Sequence, residues 1–379
     1  MAELFFWLAL ALLFYTYLGY PLLLRLLVRV RPQPVRRAPI TPPLTVIVSA
    51  YNEERDIQRK LDNLLGQDYP PDRLRIIVAS DGSSDRTDEL VRSHPDPRVS
   101  LNRVEGRRGK TAAQNATVPL AEGEIVVFTD ATTALAPDAL RQLVQPFADP
   151  TVGAVGGGLI YRDRAGSAVG SGGTSYWGYE RRLKSLESTV GSLIGVSGCF
   201  YAVRKALYRP IPPELISDFV IALDIHEQGY RTVYAPEAMS FEDTLHQPER
   251  EFAMRVRVIG RTYAALWAKR HLLNPLRHGL FAVQLLSHKV LRYAAPLLLA
   301  LLALANLAAL PGAPWLALPL IGQLVFYGAA LAGHGLRASA HGCGLLAKPY
   351  YFVLANLAAL SALLRFLRGE RWVTWEPLR

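Results

Sequence analysis

The chain has 379 residues, half of them hydrophobic, which is enough for more than one structural unit and excludes a small stapled domain. Its two cysteines, Cys199 and Cys343, are far apart and in no ligand-like spacing, so neither a disulfide framework nor a zinc site is expected, and both read as buried small apolar residues. A net charge of +10 would suit nucleic acid, but the arginines cluster beside apolar runs, which points to a membrane surface instead.

In chain order, Leu4 to Leu24 carries no charge over 21 residues, the length a helix needs to cross a bilayer. Arg25, Arg29, Arg31, Arg36 and Arg37 follow with no acid among them. A signal peptide would carry its basic residues before the apolar run and a small-residue cleavage site after it, so an uncleaved anchor with its basic flank in the cytoplasm is expected.

From Pro39 to Gln247 strand-like and helix-like patterns alternate, which implies a parallel-type α/β sheet. Leu44 to Ala50 reads as a strand, and Ile57, Leu61, Leu64 and Leu65 then form one helical face. Leu74 to Ala79 reads as a strand, Asp85 to Arg92 as a helix, Ile125 to Thr129 as a strand and Pro137 to Phe147 as a helix. Later strands are expected over Val152 to Tyr161 and Val196 to Arg204.

Glu53, Asp81 and Asp130 each follow a strand, at the end of an open sheet where ligands gather. One such acid alone would serve as well as a helix N-cap; three in successive loops imply an anionic cleft for ribose hydroxyls and a divalent cation. No glycine-rich phosphate loop follows the first strand, and Gly156-Gly157-Gly158 has the wrong spacing, so phosphate charge would be met by a metal with lysine or arginine.

Beyond the soluble segment, Tyr293 to Gly333 carries no charge over 41 residues and is broken by Pro311-Gly312-Ala313-Pro314, which predicts two spanning helices joined by a turn. Pro349 to Leu364, bracketed by Lys348 and Arg365, has only 16 uncharged residues. It could span by snorkelling or be re-entrant, and a span would leave Arg365, Arg368 and Arg371 outside, against the positive-inside tendency.

Three motifs, Val46-Ile47-Val48-Ser49-Ala50-Tyr51-Asn52-Glu53-Glu54, Ala79-Ser80-Asp81-Gly82-Ser83-Ser84-Asp85-Arg86-Thr87 and Gly109-Lys110-Thr111-Ala112-Ala113-Gln114-Asn115, together resemble the family 2 inverting glycosyltransferases of GT-A fold, in particular the membrane branch with hyaluronan, chitin and cellulose synthases. The resemblance implies an α/β, Rossmann-like mixed-sheet domain inserted between transmembrane helices. Tyr51, Glu53 and Asp81 would contact the nucleoside and Lys110 the diphosphate; a solvated surface lysine is the competing reading of Lys110.

Phe128-Thr129-Asp130-Ala131-Thr132 stands where the family carries its Asp-x-Asp metal motif, with Thr132 replacing the second acid. Asp130 would hold Mg²⁺ or Mn²⁺, with Thr132 as a weak partner through water. Ser217-Asp218-Phe219 and the residues to Tyr230 look like the family's acidic catalytic helix, Asp218 falling on the base position; the competing reading is a first-turn acid favoured by the helix dipole, and His226 reads as packed or exposed. Val196-Ser197-Gly198-Cys199-Phe200 resembles the loop bordering the acceptor, implicating Ser197, Gly198 and Cys199. Met254-Arg255-Val256-Arg257-Val258 stands where processive synthases carry Gln-x-x-Arg-Trp; Arg255 and Arg257 would neutralise the departing diphosphate, unless they are only basic interfacial residues.

The expected layout is an anchor and basic flank over 1–38, a cytoplasmic glycosyltransferase domain over 39–247, interfacial amphipathic helices over 248–290, and a hairpin with a third apolar segment and tail over 291–379. The expected protein is an inner- or plasma-membrane enzyme passing a sugar from a nucleotide-sugar, with UDP as the expected carrier, to a lipid-linked or membrane-proximal glycan. Its partners are donor, acceptor and membrane lipids, with no nucleic acid. A processive synthase exporting its polymer and a non-catalytic nucleotide-binding scaffold are the alternatives.

Overall fold

The computed structural model describes residues 1–162, 168–243, 248–336 and 344–374, with side chains from 177 onward in the second stretch. Cys343 and the Gln247 boundary lie outside the described residues.

Among the described residues eight strands form one sheet: β1 Leu44–Ala50, β2 Leu74–Ser80, β3 Val99–Arg103, β4 Ile125–Asp130, β5 Ala134–Leu135, β6 Val152–Arg162, β7 Phe200–Arg204 and β8 Arg231–Asp243. They lie in the order β3-β2-β1-β4-β7-β6-β8-β5. The first half is parallel, β1 pairing with both β2 and β4, as expected for apolar strands covered on both faces. The second half corrects the parallel-type expectation, because β7 runs antiparallel to β4 and β6, and β5 antiparallel to β8.

Side chains alternate across β1: Leu44, Val46, Val48 and Ala50 enter one core, with Ile57, Leu61 and Leu64 of the Ile57–Leu65 helix, while Ile47 enters the other. That second core joins the sheet to Phe219, Ile221 and Leu223 of the Ser217–Glu227 helix and on to Ala265, Phe281 and Leu285 of the later helices. The three consecutive glycines lie inside β6, where a Cβ on Gly157 would meet the Phe200 ring at 2.4 Å, so they permit close packing within the sheet.

Among the described residues four helices are long and apolar enough to cross a bilayer: Ala2–Val30, Pro275–Ala309, Pro314–Leu336 and Gly344–Leu367. Phe6 packs with Ala305, Ala309 and Leu316, tying the first helix to the hairpin turn. Lower down, Tyr20 and Leu24 pack with Leu183 and Val190 of the Ala168–Val190 helix.

The third apolar run follows the Pro248–Ala268 helix: Tyr351 meets Arg255, Ala358, Ala359 and Ala362 meet Val256 and Ile259, and Phe366 stacks on Tyr263. Small residues let the two helices approach closely. The chain then returns to the sheet domain, Trp372 lying against Gly260 and the Val373 carbonyl against Gly109. The last described residues therefore pack back on the sheet domain.

Candidate active site

The loops after β1 and β2 are stitched together. Asn52, at φ +55°, accepts the Ser84 N–H at 2.7 Å, and the Glu53 N–H donates to Thr87 Oγ1 at 2.7 Å. Asp81 is fully buried and accepts the N–H groups of Arg108 at 2.8 Å and Gly109 at 2.9 Å. Burial pushes its carboxyl up while those amides resist. Asp81 therefore fixes the entry to the Lys110–Thr117 helix, a role sequence reading did not anticipate. Arg107 stacks over the Tyr51 ring at 4.2 Å.

Lys110 donates to the Asp130 carboxylate and to the Gly198 carbonyl at 2.9 Å, joining three of the expected site loops. Burial works against its charge, but Asp130, and behind it Asp218, hold the ammonium above its usual range. It is no solvated surface lysine. Beneath the same loop lies Lys60, 2% exposed, which donates to Thr129 Oγ1 at 2.8 Å and the Thr133 carbonyl at 2.6 Å. Burial pushes it down to about 7.

Asp218 opens the Ser217–Glu227 helix and lies against Gly198 so closely that a Cβ there would stand 2.5 Å from its Oδ2. Its Oδ1 is buried and has no hydrogen-bond partner among the described residues. Burial pushes the carboxyl up, opposed by Lys110, Lys289, Arg261 and Lys184. Gly198→Ala is therefore expected to displace this carboxylate and cut transfer about 100-fold, with the thermal midpoint little changed; steady-state rates alongside a melting curve check it.

Lys110, Asp130, Asp218 and the Ser197–Cys199 loop line one cavity of about 770 Å³, together with Lys184, Glu242, Arg255 and Arg257. The same cavity extends to Tyr17 and Leu18 of the first helix and to Phe352, Ala355 and Ala359 of the last. Tyr51, Glu53 and Asp81 are not among its lining residues; they belong to the stitched loops after β1 and β2. Arg255 lines the cavity, but it is also bonded to Glu251 at 2.7 Å and to the Tyr351 hydroxyl, so it ties helices together. His226 is packed, stacked on Phe281 with ring centroids 3.7 Å apart, and burial pushes it down to about 4.

Thr132 is exposed and does not line the cavity, whereas Thr133 is buried and donates to Glu242 Oε1 at 2.7 Å. Burial and the nearby Asp130 charge push the Glu242 carboxyl up. Sequence reading missed Glu242 because no strand was expected over 231–243, and missed Lys184 and Arg261 because neither lies in a motif. Lys184 donates to Ser197 Oγ at 2.9 Å, and Arg261 to the Leu215 carbonyl at 2.6 Å. Among the described residues no group of three or more His, Cys, Asp or Glu side chains makes a metal site by itself. The oxygen donors of Asp130 and Glu242 do suit Mg²⁺ or Mn²⁺, which commonly use one or two carboxylates and complete their shell with substrate phosphates.

Residues 45–209 match the model of the family described as glycosyl transferase family 2. Over 235 residues the chain is 30% identical to an N-acetylglucosaminyltransferase of Rhizobium meliloti, covering 55% of this chain and 53% of the relative. It is 29% identical over 203 residues to a poly-beta-1,6-N-acetyl-D-glucosamine synthase of Staphylococcus aureus, covering 52% and 48% respectively. The chain spans about half the length of the curated relatives it matches. Among solved structures it is similar to a mannosyltransferase from Pyrobaculum calidifontis in complex with GDP-mannose and Mn²⁺, with 29% identity and a TM-score of 0.70 over 95% of this chain and 99% of that one. Residues 45–209 accordingly form a family 2 glycosyl transferase domain, and the chain has the GT-A fold.

Proposed function

We propose that the chain moves a sugar from a nucleoside diphosphate donor, with inversion, onto a hydroxyl of an acceptor that enters from the membrane. The observation that carries this reading is the continuity of one cavity from Asp130 and Asp218 to Tyr17, Leu18 and Phe352 on helices apolar enough to cross a bilayer. The catalytic domain then faces the cytoplasm, where the basic flank from Arg25 to Arg37 would hold it.

Asp218 takes the proton as the acceptor oxygen attacks the anomeric carbon, and the bond from that carbon to the diphosphate breaks. Lys110 and Arg257, which line the same cavity, meet the charge that builds on the leaving group. Glu53 and Tyr51 form the nucleoside side, with Asp81 holding the loop beneath it. Ser197, Gly198 and Cys199 border the acceptor. Asp130 would hold a divalent cation whose chemistry is Lewis-acid neutralisation of the diphosphate.

The likeness to the GDP-mannose-bound mannosyltransferase runs nearly end to end, which favours GDP-mannose as donor over the UDP-sugar the sequence first suggests. Polymer synthesis is the second reading, supported by the staphylococcal relative but weakened by Val258 standing where processive enzymes carry tryptophan. Purified chain with membrane lipids and Mn²⁺, offered GDP-mannose and UDP-N-acetylglucosamine in turn, should release the nucleoside diphosphate of one donor. Release from no nucleotide-sugar would contradict the reading.

A further inference from the structure

The chain after Asp130 does something that the short acidic motif of its family does not require. Thr132, at the position of the missing acid, is exposed. The chain then turns into β5, which pairs antiparallel with β8 through Ala134–Phe241 and Leu135–Ser240. Continued by one residue, that register sets Thr133 opposite Glu242, and Thr133 Oγ1 donates to Glu242 Oε1 at 2.7 Å. Strand pairing has thereby brought a carboxylate from more than a hundred residues away to the far side of the Asp130 loop.

Glu242 and Asp130 line the same cavity. The like charges of Asp130 and Glu242 repel one another, and Lys110 on Asp130 offsets part of that cost, while the buried Lys60 amine lies under Thr129 and Thr133. Thr133 occupies one Glu242 oxygen, and Oε2 accepts no hydrogen bond from the described residues.

We propose that Glu242 supplies the second protein carboxylate of a divalent-cation seat begun by Asp130, taking the place of the acid absent at Thr132. The inference rests on the nucleotide-sugar reading, since donor phosphates complete the seat. Hard oxygen donors from two strand ends, fixed by backbone pairing, would select Mg²⁺ or Mn²⁺ over softer metals.

The test is Mn²⁺ binding, followed by electron paramagnetic resonance on the full chain in detergent with GDP, and again with UDP. Glu242→Gln keeps the acceptor for Thr133 but removes the charge, and should weaken Mn²⁺ binding by about tenfold or more, leaving GDP affinity in EDTA unchanged. Thr133→Val removes the hydrogen bond and keeps the charge, and should bind Mn²⁺ within about threefold of the parent. Unchanged Mn²⁺ affinity in Glu242→Gln, or an equal loss in Thr133→Val, overturns the proposal. So does a parent chain that binds no Mn²⁺ with either nucleotide; sugar transfer that persists in EDTA would then leave the transferase reading standing.

Discussion

Replacing Asp218 by Asn is expected to lower kcat by about 10²–10⁴-fold, the range that a positioned general base supplies, while donor affinity stays within about threefold. The amide keeps the shape of the carboxylate against Gly198 and so preserves the loop. It cannot accept the acceptor proton. Labelled-sugar transfer measured beside calorimetric donor binding separates the two effects, and a variant that keeps full kcat would move the base elsewhere. The same residue sets the acid side of the pH profile. Burial raises its carboxyl, with four cations restraining the rise, and only the ionised form can take a proton. The rate should therefore fall as pH drops through a midpoint above the usual carboxylate value of about 4.

Lys110→Met is expected to reduce kcat/KM by about 10²–10³-fold, the loss typical when one preorganised group facing developing charge is removed. The lysine joins Asp130 to the Gly198 carbonyl, so its loss also leaves Asp130 facing Glu242 and Asp218 without its nearest cation. Lys110→Arg keeps the charge and should recover part of the loss. The measurement is a donor titration at saturating acceptor. Equal rates in Lys110→Met and the parent would return the residue to a structural role.

The central sheet was legible because β1, β2 and β4 are continuous apolar runs, the pattern of strands covered on both faces. The edges were not. β5 is two residues long, and β8 mixes polar residues with a proline, so its sequence carries no clean alternation. The strand expected from Val196 begins only at Phe200, because Ser197, Gly198 and Cys199 form the loop that receives Asp218. The Ala168–Val190 helix opens with glycine and serine, which weigh against helix, and it takes its support from Tyr20 and Leu24 of the first helix instead.

Within the site, sequence placed the residues that stand in compact motifs: Lys110, Asp130, Gly198 and Asp218 do meet at one cavity. It could not show that Asp81 is spent on backbone amides, or that Arg255 is shared with Glu251 and Tyr351. Nor could it find Lys60 or Glu242. Lys60 reaches the Asp130 loop from the helix after β1, and Glu242 reaches it through strand register, and neither contact can be read along the chain as motif spacing can.

The most direct measurement reconstitutes the purified chain in liposomes made from membrane lipid extract, adds donor labelled in the sugar, and partitions the products between organic and aqueous phases. Label is expected to pass into the lipid phase in step with released nucleoside diphosphate, and Asp218→Asn is expected to abolish this passage. Label found only as free sugar or as soluble glycan, with none carried by lipid, would contradict an acceptor that enters the cavity from the membrane.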